Sequence, residues 1–163
     1  MRAWWVRTED GRVAVESREV PVPQPGAGQL LVRVGAAGLN RGEFIAGHGI
    51  TAVGAAKPAG TEASGEIAAL GPGVSGWVAG ERVMGRCAGA FAEYALMDAR
   101  EAVRMPRELS WEEAASVPIV FMVVHDMLIG QGGLQSGEWL LVTGISSGVG
   151  VASLQAAKAM GAR

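Results

Sequence analysis

The stretch EWLLVTGISSGVGVA, residues 138–152, constrains the fold more than any other part of the chain. Trp139, Leu140, Leu141 and Val142 form a short continuous apolar run, as a parallel strand buried on both faces would have. Gly144, Gly148 and Gly150 follow, and glycine permits a sharp turn and close approach of another group to the backbone. Residues 149–160 then carry Val151, Leu154, Ala157 and Met160 at helical spacing, with Gly161 as a stop signal. Strand, glycine-rich turn and helix are therefore expected in that order. Such a unit points bare backbone N–H groups outward at the positive end of the helix, which makes an anion site suited to a pyrophosphate. The glycines are spaced G-x-x-x-G-x-G and do not fit G-x-G-x-x-G, so an ordinary βα turn that binds nothing is the competing reading.

Upstream, the pattern is one of short strands. Residues 3–7 and 12–17 flank Asp10-Gly11, a hairpin turn signal. The proline-rich PVPQP at 21–25 cannot pair as a central strand and reads as an extended connector. In residues 29–35, Leu30, Val32 and Val34 share one face while Leu31 and Arg33 share the other. Residues 38–45 read as a loop entering a short helical turn, and 47–57 as a small-residue, flexible stretch. Residues 61–70, 80–84 and 91–97 read as further strands between glycine and proline turns. Together they predict a β-rich, barrel-like domain over about the first hundred residues. Then Ser110-Trp-Glu-Glu113 forms a capping-box pattern, and Pro118 suits the first turn of a second helix running through Phe121, Val124 and Leu128 to Gly130. The boundary between the β-rich and α/β parts is placed near 105–120, with domains at 1–115 and 116–163.

Composition excludes several classes. A formal charge of −2 with mixed signs gives no argument for nucleic acid or a membrane surface. The single cysteine, Cys87, permits neither a disulfide framework nor a cysteine-rich zinc site. No 18-residue apolar run occurs, and the first residues are too short and too charged for a signal peptide. A cytoplasmic protein with no nucleic-acid or membrane partner is expected.

The ordered series of motifs resembles the zinc-free quinone oxidoreductase branch of the medium-chain dehydrogenase/reductase superfamily. The matching pieces are EVPVPQP at 19–25, VGAAGLN at 34–40, GTEASGE at 60–66, LGPGV at 70–74 and GERVM at 80–84. They continue with FAEYA at 91–95, EEAASVP at 112–118, GVG at 148–150 and QAAKAMG at 155–161. The resemblance implies an α+β to α/β architecture, a GroES-like β-barrel domain followed by the first βα unit of a Rossmann fold, with NADP(H) in the cleft between them. It implies pyrophosphate contacts from Gly144, Ser146, Ser147, Gly148, Val149 and Gly150. Asn40 would face nicotinamide and substrate, with an Asx-type turn bond as the alternative. Arg41 and Glu43 would be substrate-side polar groups, the alternative being solvated loop charges. The implied reaction is hydride transfer to a quinone or an α,β-unsaturated carbonyl.

Departures from the family pattern matter as much. The loop cysteine of zinc-dependent relatives would fall near 40–42, where this chain has none, and their Gly-His-Glu is Gly60-Thr61-Glu62. Without those ligands a tetrahedral zinc site cannot be built, so no metal is expected. Ser147 replaces a glycine and would either crowd a phosphate or donate a hydrogen bond to it. Val123 stands where a threonine turns toward the nicotinamide, and Ile45 where a tyrosine is frequent. His48 and His125 read as an exposed loop histidine and a packed helix histidine, Cys87 as a small buried residue, and Glu62 as a buried, paired carboxylate. A dinucleotide site needs two halves of a parallel sheet, and the residues that choose between NAD and NADP would follow Arg163. The sequence thus reads as a truncated piece, or as one half of an assembly such as a homodimer, with weak cofactor binding by itself. A non-catalytic GroES-like binding module is the rival. A short-chain dehydrogenase also fits T-G-x-x-x-G-x-G at 143–150, but in that family the motif opens the chain.

Overall fold

The computed structural model describes residues 1–46 and 55–163, and His48 lies outside the described residues. The chain divides into two compact units, Met1–Ser116 and Val117–Arg163.

In the first unit, β1 (Arg2–Glu9) and β2 (Arg12–Glu19) form the expected hairpin. Asp10 and Gly11 both take positive φ, 50° and 72°, the requirement of the tight turn whose twist matches its strands. β3 (Gln29–Ala37) lies in a five-stranded antiparallel sheet, whose other strands are β5 (Glu62–Leu70), β6 (Arg82–Arg86), β7 (Tyr94–Asp98) and β8 (Ala102–Arg104). The order is β7-β3-β5-β6-β8. The two-residue β4 (Lys57–Pro58) pairs with β1, and a bridge between Ala3 and Ala92 links the two sheets. Register shifts between β3 and β5 at Leu31/Val32 and Val34/Ala36 bend the ladder, as bulges do. The result is the expected barrel-like layer, a curled sheet around one core. That core is Leu30, Val32, Ala63, Ile67, Val83 and Met97, all at most 1 % exposed, with Cys87, Ala90 and Ala95. The two shortest strands, β4 and β8, carry too few residues to show an alternating pattern and were not expected from sequence.

The capping box at Ser110 forms. The Ser110 hydroxyl accepts from Glu113 N–H at 3.2 Å, and the Glu113 carboxylate accepts from Ser110 N–H at 2.8 Å. The helix it starts, α1 (Trp111–Ala115), rests on the sheet: Trp111 lies so close to Gly35 that a Cβ there would sit 2.8 Å from the indole. The Ser64 hydroxyl donates to the Trp111 carbonyl at 2.6 Å, and the Arg82 guanidinium stacks over the Trp111 ring at 4.4 Å.

In the second unit, α2 (Pro118–Val124) runs into a π-helical turn at His125–Gln131, and α3 (Gly148–Ala159) packs against α2. Two expectations are corrected here. Residues 139–142 are not a buried strand: Trp139 is 81 % and Leu141 89 % exposed. Among the described residues, the backbone here pairs only with Arg163, whose carbonyl accepts from Leu140 N–H at 2.9 Å and whose N–H donates to the carbonyl of the preceding Glu138 at 2.8 Å. A parallel strand needs neighbours on both edges and cover on both faces, and among the described residues nothing else supplies them. The apolar face of α3 is also displaced. Gly150, Ala152, Ser153 and Ala157 are buried, while Val151 and Leu154 are 44 % and 42 % exposed. Close packing of α2 and α3 selects the small side chains. No described helix is long and apolar enough to cross a membrane.

Candidate functional site

The first cluster sits where β3 ends. Asn40 precedes a 3₁₀ turn at Arg41–Phe44, and its N–H donates to Glu43 Oε2 at 2.8 Å. Glu43 Oε1 accepts from the Thr61 hydroxyl at 2.9 Å. Asn40 Nδ2 donates to Glu62 Oε1 at 2.8 Å and to Thr61 Oγ1 at 3.3 Å. The sequence places Thr61 and Glu62 at the start of β5, beside the end of β3, because Ala37 pairs with Ala63. Glu43 and Glu62 are 1 % and 3 % exposed, so these bonds replace water around two buried carboxylates.

Glu62 is therefore the buried, bonded carboxylate that the sequence suggested. Glu43 was expected as a substrate-side or solvated charge. Both its oxygens instead face inward and are engaged by Asn40 and Thr61. Arg41 is exposed and has no partner among the described residues. Thr61 is the node that sequence reasoning passed over. It drew notice only as a missing histidine, and nothing in its spacing marks it as a bridge between two carboxylates. Cys87 is buried; loss of hydration, and secondarily the charge of Glu62, push its thiol up to about 12. Among the described residues no three histidine, cysteine or acidic side chains converge as a metal site would require.

Beside this network lies an open apolar groove of about 580 Å³ lined by Trp4, Val34, Leu39, Phe44 and Phe91. Phe44 and Phe91 stack with ring centroids 6.2 Å apart.

The second cluster is the turn before α3. Gly144 has φ +69°, and a Cβ on Gly150 would lie 2.5 Å from the Gly144 carbonyl, so only glycine lets the helix start tuck under the loop. Ser147 is the N-cap. Its hydroxyl accepts from Gly150 N–H at 3.0 Å and donates to the Gly144 carbonyl at 2.8 Å. Its side chain is thus spent within the loop, which answers in local terms whether it crowds an anion or donates to one. Ser147 N–H is also bonded, to the Gly144 carbonyl. The N–H groups of Gly148 and Val149 open the helix with no acceptor among the described residues, and Ser146 is exposed beside them. Two orphan amides at a helix N-terminus suit a phosphate oxygen. His125, expected as a packed residue, is exposed at the rim of an apolar cavity of about 200 Å³ formed with Phe121, Val124, Leu128, Ile129 and Ala156.

This fold and these two clusters define a dehydrogenase-like chain, and comparison with known proteins agrees. Residues 26–107 match the alcohol dehydrogenase GroES-like domain, and the chain belongs to that family. It is 38 % identical over 146 residues to the pikromycin polyketide synthase component PikAII of Streptomyces venezuelae, covering 88 % of this chain and 4 % of that one. A mycobacterial quinone oxidoreductase superimposes with a TM-score of 0.87 at 30 % identity. A mycobacterial protein solved in complex with NADPH superimposes with a TM-score of 0.86 at 29 % identity. In both cases all of this chain is covered, and it spans about half, 51 %, of the solved chain.

Proposed function

We propose that the chain is part of an NADP(H)-dependent reductase that works without zinc on quinones or α,β-unsaturated carbonyls. The observation that carries this reading is the pair of open amides at Gly148 and Val149, held by the Ser147 cap and the closely packed Gly150. The turn fits a dinucleotide phosphate: a Cβ on Gly144 would meet nothing within 4 Å, so its outer side is open. When bound, a nicotinamide supplies the hydride. Ser146, Gly148 and Val149 would hold the anion, Gly144 and Gly150 would let it approach, and Asn40 would orient a polar group of the bound ligands. Leu39, Phe44 and Phe91 offer an apolar surface for a planar acceptor. Arg41 is an exposed cation on the same loop. Glu43 and Thr61 are occupied with each other, so neither is free to supply a proton, and the proton for the reduced product would come from solvent.

Independence from zinc is supported by the donor set. Thr61 and Asn40 contribute a neutral hydroxyl and an amide, the neighbouring carboxylates of Glu43 and Glu62 are already hydrogen-bonded to them, and among the described residues no third histidine, cysteine or acidic side chain joins that pair to complete a zinc site. The cytoplasmic setting and small-molecule partner belong to the same proposal. NADPH consumption by the full-length protein with a series of quinones and enones tests it; no turnover with any acceptor defeats it. The exposed Trp139 and Leu141 favour a second reading, a module that binds or assembles without catalysis. Tight NADPH binding by the 163-residue chain alone would count against that second reading.

A further inference from the structure

The arginines at the β6–β8 end of the sheet carry more charge than their surroundings balance. An open cavity of about 570 Å³ there is lined by Gly80, Glu81, Arg82, Arg104, Met105 and Arg107, none of which belongs to either cluster described above. Strand pairing brings the two stretches together: Val83 faces Arg104, and Met105 N–H donates to the Arg82 carbonyl at 3.0 Å. Against three guanidiniums, which stay ionised, the lining offers one carboxylate. That carboxylate, Glu81, accepts from Arg104 Nε at 3.2 Å and from Val78 N–H at 2.9 Å. Arg104 also stacks over Trp77 at 4.4 Å and donates to the Gly76 carbonyl, which fixes its position. Arg82 is half-buried, and only neutral carbonyls answer it. Its Nη1 and Nη2 donate to Arg107 at 3.4 Å and Leu109 at 2.9 Å, and its Nε is buried with no partner among the described residues. Glu66, which faces Arg82 across the sheet, is bridged to Arg33 at 3.3 Å instead. Arg107 is exposed, and its side chain has no partner among the described residues.

We propose that this cavity binds a small phosphorylated molecule through its phosphate group. A half-buried cation without a counter-charge is costly, and an anion beside it relieves that cost. The two unbalanced positive charges match a phosphate monoester, which carries close to two negative charges at neutral pH. Guanidiniums suit phosphate through their paired N–H donors, and Arg82 and Arg104 are already held by indole stacking, so little ordering remains. The cavity is of the size that takes a whole small molecule, which leaves room for the esterified group. The site uses neither nicotinamide nor the turn before α3, so it stands apart from the reductase reading.

Titration of the ¹⁵N-labelled chain with phenyl phosphate, without NADPH, reads both anion sites at once. The arginine Nε–H signals report this cavity, and the Gly148 and Val149 amides report the turn. Saturable shifts of the Arg82, Arg104 and Arg107 signals are expected, with Arg12, an exposed arginine of β2, unmoved. Uniform, non-saturating shifts of all arginines overturn the proposal. Arg107→Gln removes an exposed, unpartnered charge and leaves the fold intact. It should weaken phenyl phosphate at the cavity about tenfold, the worth of one charge-assisted hydrogen bond. Arg12→Gln loses the same charge elsewhere and should leave the affinity unchanged. Equal effects of the two substitutions overturn a local site. Benzoate shares the ring but carries a single, planar anionic group, and binding as tight as that of phenyl phosphate overturns the phosphate assignment. Inorganic phosphate binding as tightly as phenyl phosphate overturns a site for an esterified phosphate. Arginine shifts without shifts at Gly148 and Val149 would count against the reductase reading and leave this site standing. Shifts at Gly148 and Val149 alone would sink this site and spare that reading.

Discussion

The Thr61 hydroxyl donates to Glu43 Oε1 at 2.9 Å, and through that bond the start of β5 holds the loop that follows β3. Thr61→Val is nearly isosteric and removes the hydrogen that Thr61 donates to that buried oxygen. Leaving a buried acceptor unsatisfied costs about 1–3 kcal/mol, more for a charged group. Urea unfolding of Thr61→Val should show a loss in that range, and Thr61→Ser, which keeps the hydroxyl, should recover most of it. Equal stability of the valine and wild-type proteins would mean that Glu43 finds water instead.

Cys87 gives a prediction in pH. Its thiol rises from an ordinary 9.0 to about 12 because burial, and then Glu62, disfavour the thiolate. The folded state therefore holds the proton more tightly than the unfolded chain. The stability linked to Cys87 is fully present below pH 9.0 and is lost as pH rises toward about 12. Urea unfolding between pH 8 and 11 should show stability falling with pH above about 9, and Cys87→Ala should flatten that part of the slope. Iodoacetamide should label the native protein far more slowly than the denatured one, because the thiolate is the nucleophile.

Sequence carried the local devices well. Asp10-Gly11 and the Ser110/Glu113 box are short-range motifs whose chemistry is complete within four residues, and both form as expected. It carried the strands of the first unit because Leu30 and Val32 alternate against a single core. It failed where burial depends on residues distant in the chain. The run at 139–142 has the composition of a central strand, but composition does not bring neighbours to its edges. The burial of Glu43 escaped sequence for a related reason. A charged loop residue is ordinarily solvated, and only the approach of β5 supplies the Thr61 hydroxyl that permits its burial. At the candidate anion site, the glycines were legible through their spacing, whereas the closed hydrogen-bond pattern of Ser147 needed coordinates.

Ser147 supplies a third test. It caps α3 from an exposed position, and Ser→Ala at an N-cap costs about 1 kcal/mol, with Ser→Gly only a few tenths. Ser147→Ala should lower stability by that amount and Ser147→Gly by clearly less. Differential scanning calorimetry of the two variants resolves the order. If alanine is tolerated as well as glycine, the cap does not hold the loop.

Trp139 offers the sharpest check on the second unit. It is 81 % exposed, against 42 % for Trp4, and it follows Glu138, whose carbonyl is tied to Arg163 N–H at 2.8 Å. A surface indole of this kind buries little apolar area, so Trp139→Phe should change unfolding stability by no more than about 0.5 kcal/mol. The same substitution should remove the component of tryptophan emission that is most red-shifted and most readily quenched by acrylamide. If the quenchable component survives, or if the variant is destabilised by the 3–5 kcal/mol typical of losing a core aromatic, residues 139–142 are covered in solution and the exposed arrangement is not the populated one.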